Sequence, residues 1–380
     1  MRSGFSLFLI SGALAMASAA TAAPPVVRGP GMPPIPPRVT PVVRPPSYSP
    51  TGGYVVPRFP KPEAAAALPS TIHVGPMAEV PAFRPPPPNA DKATMLAASK
   101  EIMARQSARM KNFLPTTGYK SLDEIATKTA QLSPTRATVV GMLKAEDKFE
   151  FGMRTPAGIR ESISTRGFLT SHETRTSRGS QDVDARERVE ASFLGVSREE
   201  YSAVPNAIRP KYGYLRPAKE TGIKMADGAE QYGEDVFVFK RDALKEHVTV
   251  YPLDSVANSV LGWPVKPIPP ATKEAQPTEW HQALVPWKDR MLLAPDLDVP
   301  AGTNELRFHN ARAPEGFVTR PAAFSRYVEV QIWRPVGIED VERFEFSAQP
   351  PTGAFLNALR TNHVKIFRLG DSSEWTGGAS

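Results

Sequence analysis

The sequence predicts an α+β domain that follows a set of N-terminal helices and a proline-rich arm. Residues 91–148 carry apolar side chains at helical spacing, whereas residues 149–372 mix short β-rich pieces with helical patterns in irregular order. Such irregular order favours an α+β domain over a regular β-α-β sheet. The arm, residues 23–90, contains 21 of the 41 prolines, and proline can continue neither a helix nor a central strand.

The first 22 residues are organised like a secretion signal. Arg2 provides a basic start, an apolar run extends from Phe5 to Ala17, and Ala20-Thr21-Ala22 fits a small-x-small cleavage site. The run is shorter than the roughly 20 apolar residues that span a bilayer, so an uncleaved anchor is the weaker alternative. We therefore expect a periplasmic or secreted protein, cleaved after Ala22.

The proline-rich arm is expected to be extended, polyproline-II-like and mostly disordered. Residues 1–90 carry a net charge of +5 out of +7 for the whole chain, so the presumed folded part is nearly neutral. Two interpretations stay open for the arm. It is either a passive linker or a weakly basic tether that contacts an anionic wall or membrane surface.

The composition excludes several kinds of chemistry. The chain has no cysteine, which excludes disulfides, cysteine nucleophiles and thiolate metal sites. Its six histidines show no metal-ligand spacing, so we predict no metal site. A nucleic-acid-binding domain concentrates basic residues on its folded part, and this chain does not, so we predict no nucleic-acid partner. The sequence predicts no particular oligomeric state.

Three helices are predicted in residues 91–148. The first is capped by Asn89 or Asp91, because a short polar side chain at that position can accept from the first turn of a helix. The second begins after Ser121, with a glutamate three residues later in the pattern of a capping box. The third follows Pro134, a residue suited to the first turn of a helix.

The α+β part is predicted from local patterns that alternate along the chain. Apolar or β-branched runs predict strands or β-rich pieces at 167–169, 235–239, 248–251, 305–308, 327–333 and 364–367. Helical spacing predicts helices near 156–165, 183–194 and 338–344. Residues 263–298 are predicted to be a long structured loop or insertion, and residues 373–380 a flexible tail.

The strand at 327–333 has two different faces, because successive side chains of a strand point to opposite sides. One face is apolar and consists of Val328, Val330 and Ile332. The other face carries Glu329 and Gln331 between two aromatic residues, Tyr327 and Trp333. A carboxylate flanked by rings is typical of a catalytic or ligand-orienting acid, and a half-solvated strand is the alternative interpretation.

Two further segments precede this strand in a particular order. The first is the turn Gly167-Phe168-Leu169 with Thr170 to Gly179, followed by a helical stretch that contains Arg186, Arg188 and Glu190. The second is Arg209-Pro210-Lys211-Tyr212-Gly213-Tyr214. Together with the strand, they resemble an uncharacterised bacterial secreted family that looks ADP-ribosyltransferase-like, through an Arg-Pro-x-Tyr-Gly motif and a Tyr-x-Glu-x-Gln motif. The resemblance covers roughly residues 150–370.

The resemblance implies an ADP-ribosyltransferase-like mixed-sheet domain that uses NAD as a substrate. Glu329, with Gln331 beside it, would stabilise positive charge on the ribose as the nicotinamide bond breaks. Arg209 would bind a phosphate or the nicotinamide ribose. The remaining predicted NAD-site residues are Tyr212 or Tyr214, stacking on nicotinamide, and Thr249 or Ser255, holding the cleft or the glutamate.

Three functional hypotheses follow from these patterns. The first is an exported NAD-cleaving enzyme, with a protein target as the partner and a toxin or effector role. It requires Arg209, Thr249 or Ser255, and Glu329 to converge on one cleft. The second is a non-catalytic secreted binding protein tethered by the arm. The third, weaker hypothesis is a cell-wall sugar hydrolase, which needs a second acid such as Glu173 within about 5–10 Å of Glu329.

Structural interpretations of the same residues also stay open. Arg209 could close a turn or pair with a nearby acid. Tyr212-Gly213 could be a strand end with a turn glycine, and Glu173 could be a local helix cap. The charged residues between Asp182 and Arg188 are predicted to form a solvated helical face.

Overall fold

The computed structural model describes residues 79–114, 119–175, 183–225, 229–251, 284–308 and 327–377. All of them belong to one compact unit, Leu68–Ser380. The predicted signal, residues 23–78 of the arm and the predicted site residue Ser255 lie outside the described residues.

The described residues form helices and strands in mixed order. The helices are α1 (Lys92–Phe113), α2 (Leu122–Leu132), α3 (Pro134–Lys144), α4 (Arg160–Arg166), α5 (Ser171–Thr174), α6 (Val183–Leu194), α7 (Arg198–Ser202), α8 (Arg241–Leu244) and α9 (Gly353–Thr361). The strands are β1 (Phe149–Thr155), β2 (Lys211–Pro217), β3 (Lys224–Met225), β4 (Asp235–Phe239), β5 (Val248–Tyr251), β6 (Val285–Pro286), β7 (Leu297–Asp298), β8 (Glu305–Phe308), β9 (Val328–Ile332), β10 (Val341–Phe346) and β11 (Lys365–Arg368).

An eight-stranded sheet organises the unit, in the order β11-β10-β4-β1-β2-β9-β5-β6. Its strand pairs are antiparallel except for β10 with β11, which is parallel. A smaller sheet has the order β3-β8-β7. The predicted α+β class, with a mixed sheet preceded by helices, is therefore confirmed.

The two faces of the large sheet differ in chemistry. On one face, alternate residues such as Phe151, Leu215 and Val330 are fully buried in the main hydrophobic core. Helices α2 and α3 and the 3-10 helix Trp287–Asp296 contribute to the same core. The opposite face carries Glu329 and many other polar side chains. The alternation of strand side chains thus separates the core from a polar surface of the sheet.

The predicted N-terminal helices begin where their capping residues allow. Asp91 caps α1 by accepting from the Thr94 amide at 2.7 Å, and Ser121 caps α2 by accepting from the Glu124 amide at 3.1 Å. The Glu124 carboxylate accepts from the Lys120 amide, one residue before the position that a complete capping box requires. No described helix combines the length and apolarity needed to cross a membrane.

Two local predictions were wrong. The predicted helix at 338–344 is a 3-10 turn, Ile338–Asp340, that leads into β10. In β10, Phe344 enters the core while Glu345 lies on the polar face, where arginines compensate its charge. The predicted β-rich piece at 167–169 is a loop. Gly167 ends α4 with φ +72°, and the Phe168 ring packs between Phe237 and Phe239.

Both ends of the described chain contact the unit. Phe83 packs against the cluster that contains Ile102, and the Arg105 guanidinium donates to the Pro81 carbonyl. At the other end, the Trp375 amide donates to the Ile366 carbonyl at 2.7 Å. The last residues of the predicted arm and the first residues of the predicted tail are therefore packed against the domain.

Candidate functional site

A cleft of about 490 Å³ opens on the polar face of the sheet. Its volume lies within the usual range of about 300–1,000 Å³ for small-molecule sites. Residues from β1, β2, β9 and α6 line it, including Arg154, Arg186, Tyr212, Tyr214, Tyr327 and Glu329. The cleft thus combines a carboxylate, two guanidinium groups and several phenol rings.

Strand register places the predicted site residues in two neighbouring rows. Gln331 lies between Tyr212 on β2 and Thr249 on β5. Glu329 lies between Tyr214 and Tyr251 in the next row. Because residues paired across a sheet share one face, these six side chains all belong to the polar face.

A chain of hydrogen bonds under the cleft ends at Glu329. The Trp333 indole donates to Thr249 Oγ1 at 2.7 Å, and the Thr249 hydroxyl donates to Gln331 Oε1 at 2.9 Å. Gln331 Nε2 then donates to Glu329 Oε1 at 2.5 Å. An indole N–H can only donate, so it directs the Thr249 hydrogen towards Gln331 and the amide hydrogens of Gln331 towards Glu329.

Arg186 of α6 stands beside Glu329 in the cleft. Its guanidinium carbon lies 4.2 Å from the ring centroid of Tyr212, a cation–π distance. Burial lowers the pKa of Arg186, but Tyr212, Glu190 and Glu329 outweigh burial and hold that pKa above its ordinary value. Arg186 therefore stays charged and couples α6 to the acid of the cleft.

The far wall of the cleft is aromatic and basic. The Tyr214 ring lies against Gly152, where an added Cβ would come within 2.9 Å of the ring, so only glycine leaves room for it. The Tyr327 hydroxyl donates to that of Tyr232 at 3.1 Å. Arg154 donates to the Gly233 carbonyl at 3.2 Å. These contacts hold flat apolar surfaces and a cation on the side opposite α6.

Arg209 does not line the cleft, so the predicted convergence of Arg209, Thr249 or Ser255, and Glu329 on one cleft is not found for Arg209. Its guanidinium is buried and donates to the carbonyls of Val204 and Ser202, to Glu187 Oε2 at 3.1 Å and to His172 Nδ1 at 2.8 Å. These contacts match the interpretation of Arg209 as a residue that closes a turn and pairs with an acid. It is connected to the cleft through His172, which contacts Glu190 on α6, the helix that carries Arg186.

The other predicted residues divide into four groups. Glu329, Tyr212 and Tyr214 line the cleft, whereas Gln331 and Thr249 lie behind it in the hydrogen-bond chain. Ser255 is outside the described residues. Glu173 is engaged in the capping box of α5, with its carboxylate 2.8 Å from the Thr170 amide, so its interpretation as a local cap is confirmed.

Sequence reasoning missed the role of α6. Arg186 and Glu190 are buried, so the predicted solvated face does not include Arg186. The signal was present in the spacing: Arg186, Glu190 and the buried residues Val189 and Phe193 are three or four positions apart and share one side of the helix. Arg154 was missed because β1 was not recognised as a strand of the cleft.

Within the described ranges, no cluster of three or more histidine, aspartate or glutamate side chains could hold a metal ion. No protein-family model, curated protein or solved structure matches this chain. The geometry of the cleft is therefore the ground on which a function can be argued.

Proposed function

We propose that this chain is an ADP-ribosyltransferase-like enzyme that cleaves the nicotinamide–ribose bond of NAD in the cleft of Glu329. One observation carries the proposal. A buried carboxylate, oriented by an amide behind it, faces a cleft of about 490 Å³ that also contains tyrosine rings and two arginines.

Glu329 is suited to a reaction that develops positive charge. Loss of nicotinamide leaves an oxocarbenium-like ribose, and a fixed carboxylate stabilises that charge more in the transition state than in the substrate. The hydrogen bond from Gln331 limits the rotation of the Glu329 carboxylate. A preorganised carboxylate needs little rearrangement during the reaction.

The rest of the cleft matches the other parts of a dinucleotide. Tyr212, Tyr214 and Tyr327 provide faces on which a flat ring can stack, and Arg186 and Arg154 provide donors for phosphate oxygens. We assign the phosphate-binding role to these two arginines, because they line the cleft and Arg209 does not. The sequence resemblance extends the proposal in two ways: ADP-ribose would be transferred to a protein target, and the exported protein would act as a toxin or effector.

The test is NAD turnover by the full chain, with nicotinamide release measured by chromatography and NAD binding measured by calorimetry. We expect Glu329→Gln to lose turnover by at least about a hundredfold while still binding NAD, because one oriented charge contributes several kcal/mol to a transition state. Arg186→Met should weaken NAD binding. Glu342→Gln is the matched control, because Glu342 is an exposed acid on β10.

A non-catalytic binding protein is the second candidate. It is favoured by the electrostatic interaction between Arg186 and Glu329, which gives the carboxylate a cationic partner inside the protein. NAD binding without nicotinamide release would support this candidate. Absence of binding at millimolar NAD, or full turnover by Glu329→Gln, would overturn the enzyme proposal.

A further inference from the structure

A buried hydrogen-bond network on the polar face joins three of the segments that surround the cleft. His172 of α5 contacts Arg209 through Nδ1 and Glu190 of α6 through Nε2, both at 2.8 Å. Glu190 also accepts from the hydroxyls of Tyr201, at 2.6 Å, and of Tyr212. The network therefore runs from Arg209 to Tyr212, which lines the cleft beside Glu329.

The direction of these hydrogen bonds follows from the first group in the network. A guanidinium has only donors, so His172 Nδ1 must be the acceptor for Arg209. The hydrogen of a neutral imidazole then sits on Nε2. Nε2 can donate to Glu190, and the contact between these two atoms is direct.

Glu190 collects the donors at the centre of the network. It is 1% exposed and accepts from an imidazole and two phenols. The Tyr212 hydroxyl donates its hydrogen to Glu190. The Tyr212 ring is then held beneath Arg186, at the cation–π distance given above.

We propose that Arg209, His172 and Glu190 form a positioning relay, in which Arg209 selects the Nε2-protonated tautomer of His172 and so fixes the orientation of Tyr212 at the cleft. Arg209 and His172 are positioning residues here, because neither contacts a substrate. The link from Tyr212 to turnover rests on the proposed function, whereas the tautomer of His172 does not.

The relay is tested by long-range proton–nitrogen NMR of the full chain labelled with ¹⁵N-histidine, with His172 assigned by its loss in His172→Gln. We expect a hydrogen on Nε2 and none on Nδ1 at neutral pH. Arg209→Met should allow a hydrogen on Nδ1. Arg198→Met is the matched control, because Arg198 also pairs with Glu187 without contacting His172, and the tautomer should not change.

Activity provides a second readout. With NAD as the probe, we expect Arg209→Met and Tyr212→Phe each to lower kcat by about ten- to a hundredfold, the range for small misplacements near a reacting centre, and the double variant to be no worse than either. Independent, multiplicative losses would overturn the relay. So would a hydrogen on Nδ1 of His172 in the unmodified chain, a measurement that does not need NAD turnover.

Discussion

At the scale of single residues, groups that can only donate determine the direction of the hydrogen bonds around the cleft. The Trp333 indole starts the chain that ends at Glu329, and the Arg209 guanidinium starts the one that runs through His172 to Glu190, which also accepts from Tyr212. Hydroxyl, amide and imidazole groups in between could each donate in either direction. The donors at one end and the carboxylates at the other remove that choice.

Thr249 is the residue at which the hydrogen-bond chain from Trp333 to Glu329 is most easily interrupted. Thr249→Val removes the hydroxyl, leaves the buried Trp333 N–H without its acceptor and leaves Gln331 free to turn. We expect a loss of about 1–3 kcal/mol in the free energy of unfolding, the usual cost of a buried polar group that loses its partner. Nicotinamide release should fall as well. Urea unfolding and the NAD assay measure the two effects.

Thr249→Ser is the matched control for this prediction, since it keeps the hydroxyl and loses one methyl group. It should retain nicotinamide release near that of the unmodified chain. Equal loss of activity in the serine and valine variants would show that packing of the methyl group matters and that the hydrogen-bond chain does not.

The residues of the cleft could be predicted only where the alternation of side chains along a strand shows which face they share. The pattern at 327–333 placed Glu329 and Gln331 on one face, and the structure has them there. The position of Arg209 could not be predicted, because its acceptors are mostly backbone carbonyls between Tyr201 and Val204. To predict that Arg186 lies in the cleft, one would have to know which side of α6 faces the sheet.

At the scale of elements, α1 is joined to the sheet and to α6 by buried polar contacts. Ser99 Oγ of α1 lies 2.9 Å from Nδ1 of His247, just before β5. Arg109 donates to the Phe193 carbonyl at 2.5 Å, near the C-terminus of α6. The helix that was predicted from its cap and apolar spacing is therefore part of the domain and supports the helix that carries Arg186.

His247 makes the docking of α1 dependent on pH. Burial, followed by the charges of Arg334 and Lys100, lowers the pKa of His247 to about 4 from 6.5. The unfolded chain therefore binds this proton more tightly, and folding stability is lost as the pH falls from 6.5 towards 4. His247→Gln lacks this titration. We expect the difference in the free energy of unfolding between the unmodified chain and His247→Gln to be constant above pH 6.5. This difference should shrink as the pH falls from 6.5 towards 4.

Urea unfolding of both proteins at several pH values across this window measures the difference. A difference that does not change with pH would contradict the lowered pKa of His247. The same comparison at neutral pH gives the effect of replacing the imidazole without the contribution of its titration.

Local patterns predicted the helices α1, α2, α3, α4 and α6 and the strands β4, β5, β8, β9 and β11, but they failed at β10 on the polar face. Capping residues and spacing identified α1, α2 and α3, whose signals lie within one element. The predicted helix at 338–344 ends within β10, where Arg343 and the following Glu345 are buried against partners on other strands. Such partners are distant in sequence, so a local pattern cannot reveal them.

At the scale of the whole molecule, charge is distributed unevenly between arm and domain. The first 90 residues carry +5 of the +7 net charge, while the sheet keeps its own charges in compensated pairs. Contact of the arm with an anionic surface therefore remains a proposal about the arm alone. The buried ion pairs of the sheet affect the stability of the domain and have no bearing on what the arm contacts.

Four charged residues tie three strands together across the polar face. Arg343 of β10 reaches over β4 to Glu150 of β1 at 2.5 Å and donates to Glu345 at 2.7 Å. Arg216 of β2 contacts the same two glutamates, at 3.2 and 3.3 Å. Burial raises the pKa of Glu345, but Arg216 and Arg343 outweigh it and keep that pKa below its ordinary value. The charge of Glu345 thus depends on both arginines.

Arg343→Met should be among the most destabilising single changes in the domain. It removes one cation from two largely buried carboxylates, and breaking a buried ion pair from one side costs about 3–5 kcal/mol. Lys92→Met is the matched control, because the pair of Lys92 with Glu339 is more than half exposed on both sides and should contribute less than about 1 kcal/mol. Urea unfolding at neutral pH measures both losses. Similar small losses for the two variants would mean that water or other side chains replace Arg343, and that the charged cluster adds little to the backbone ladders and the apolar core.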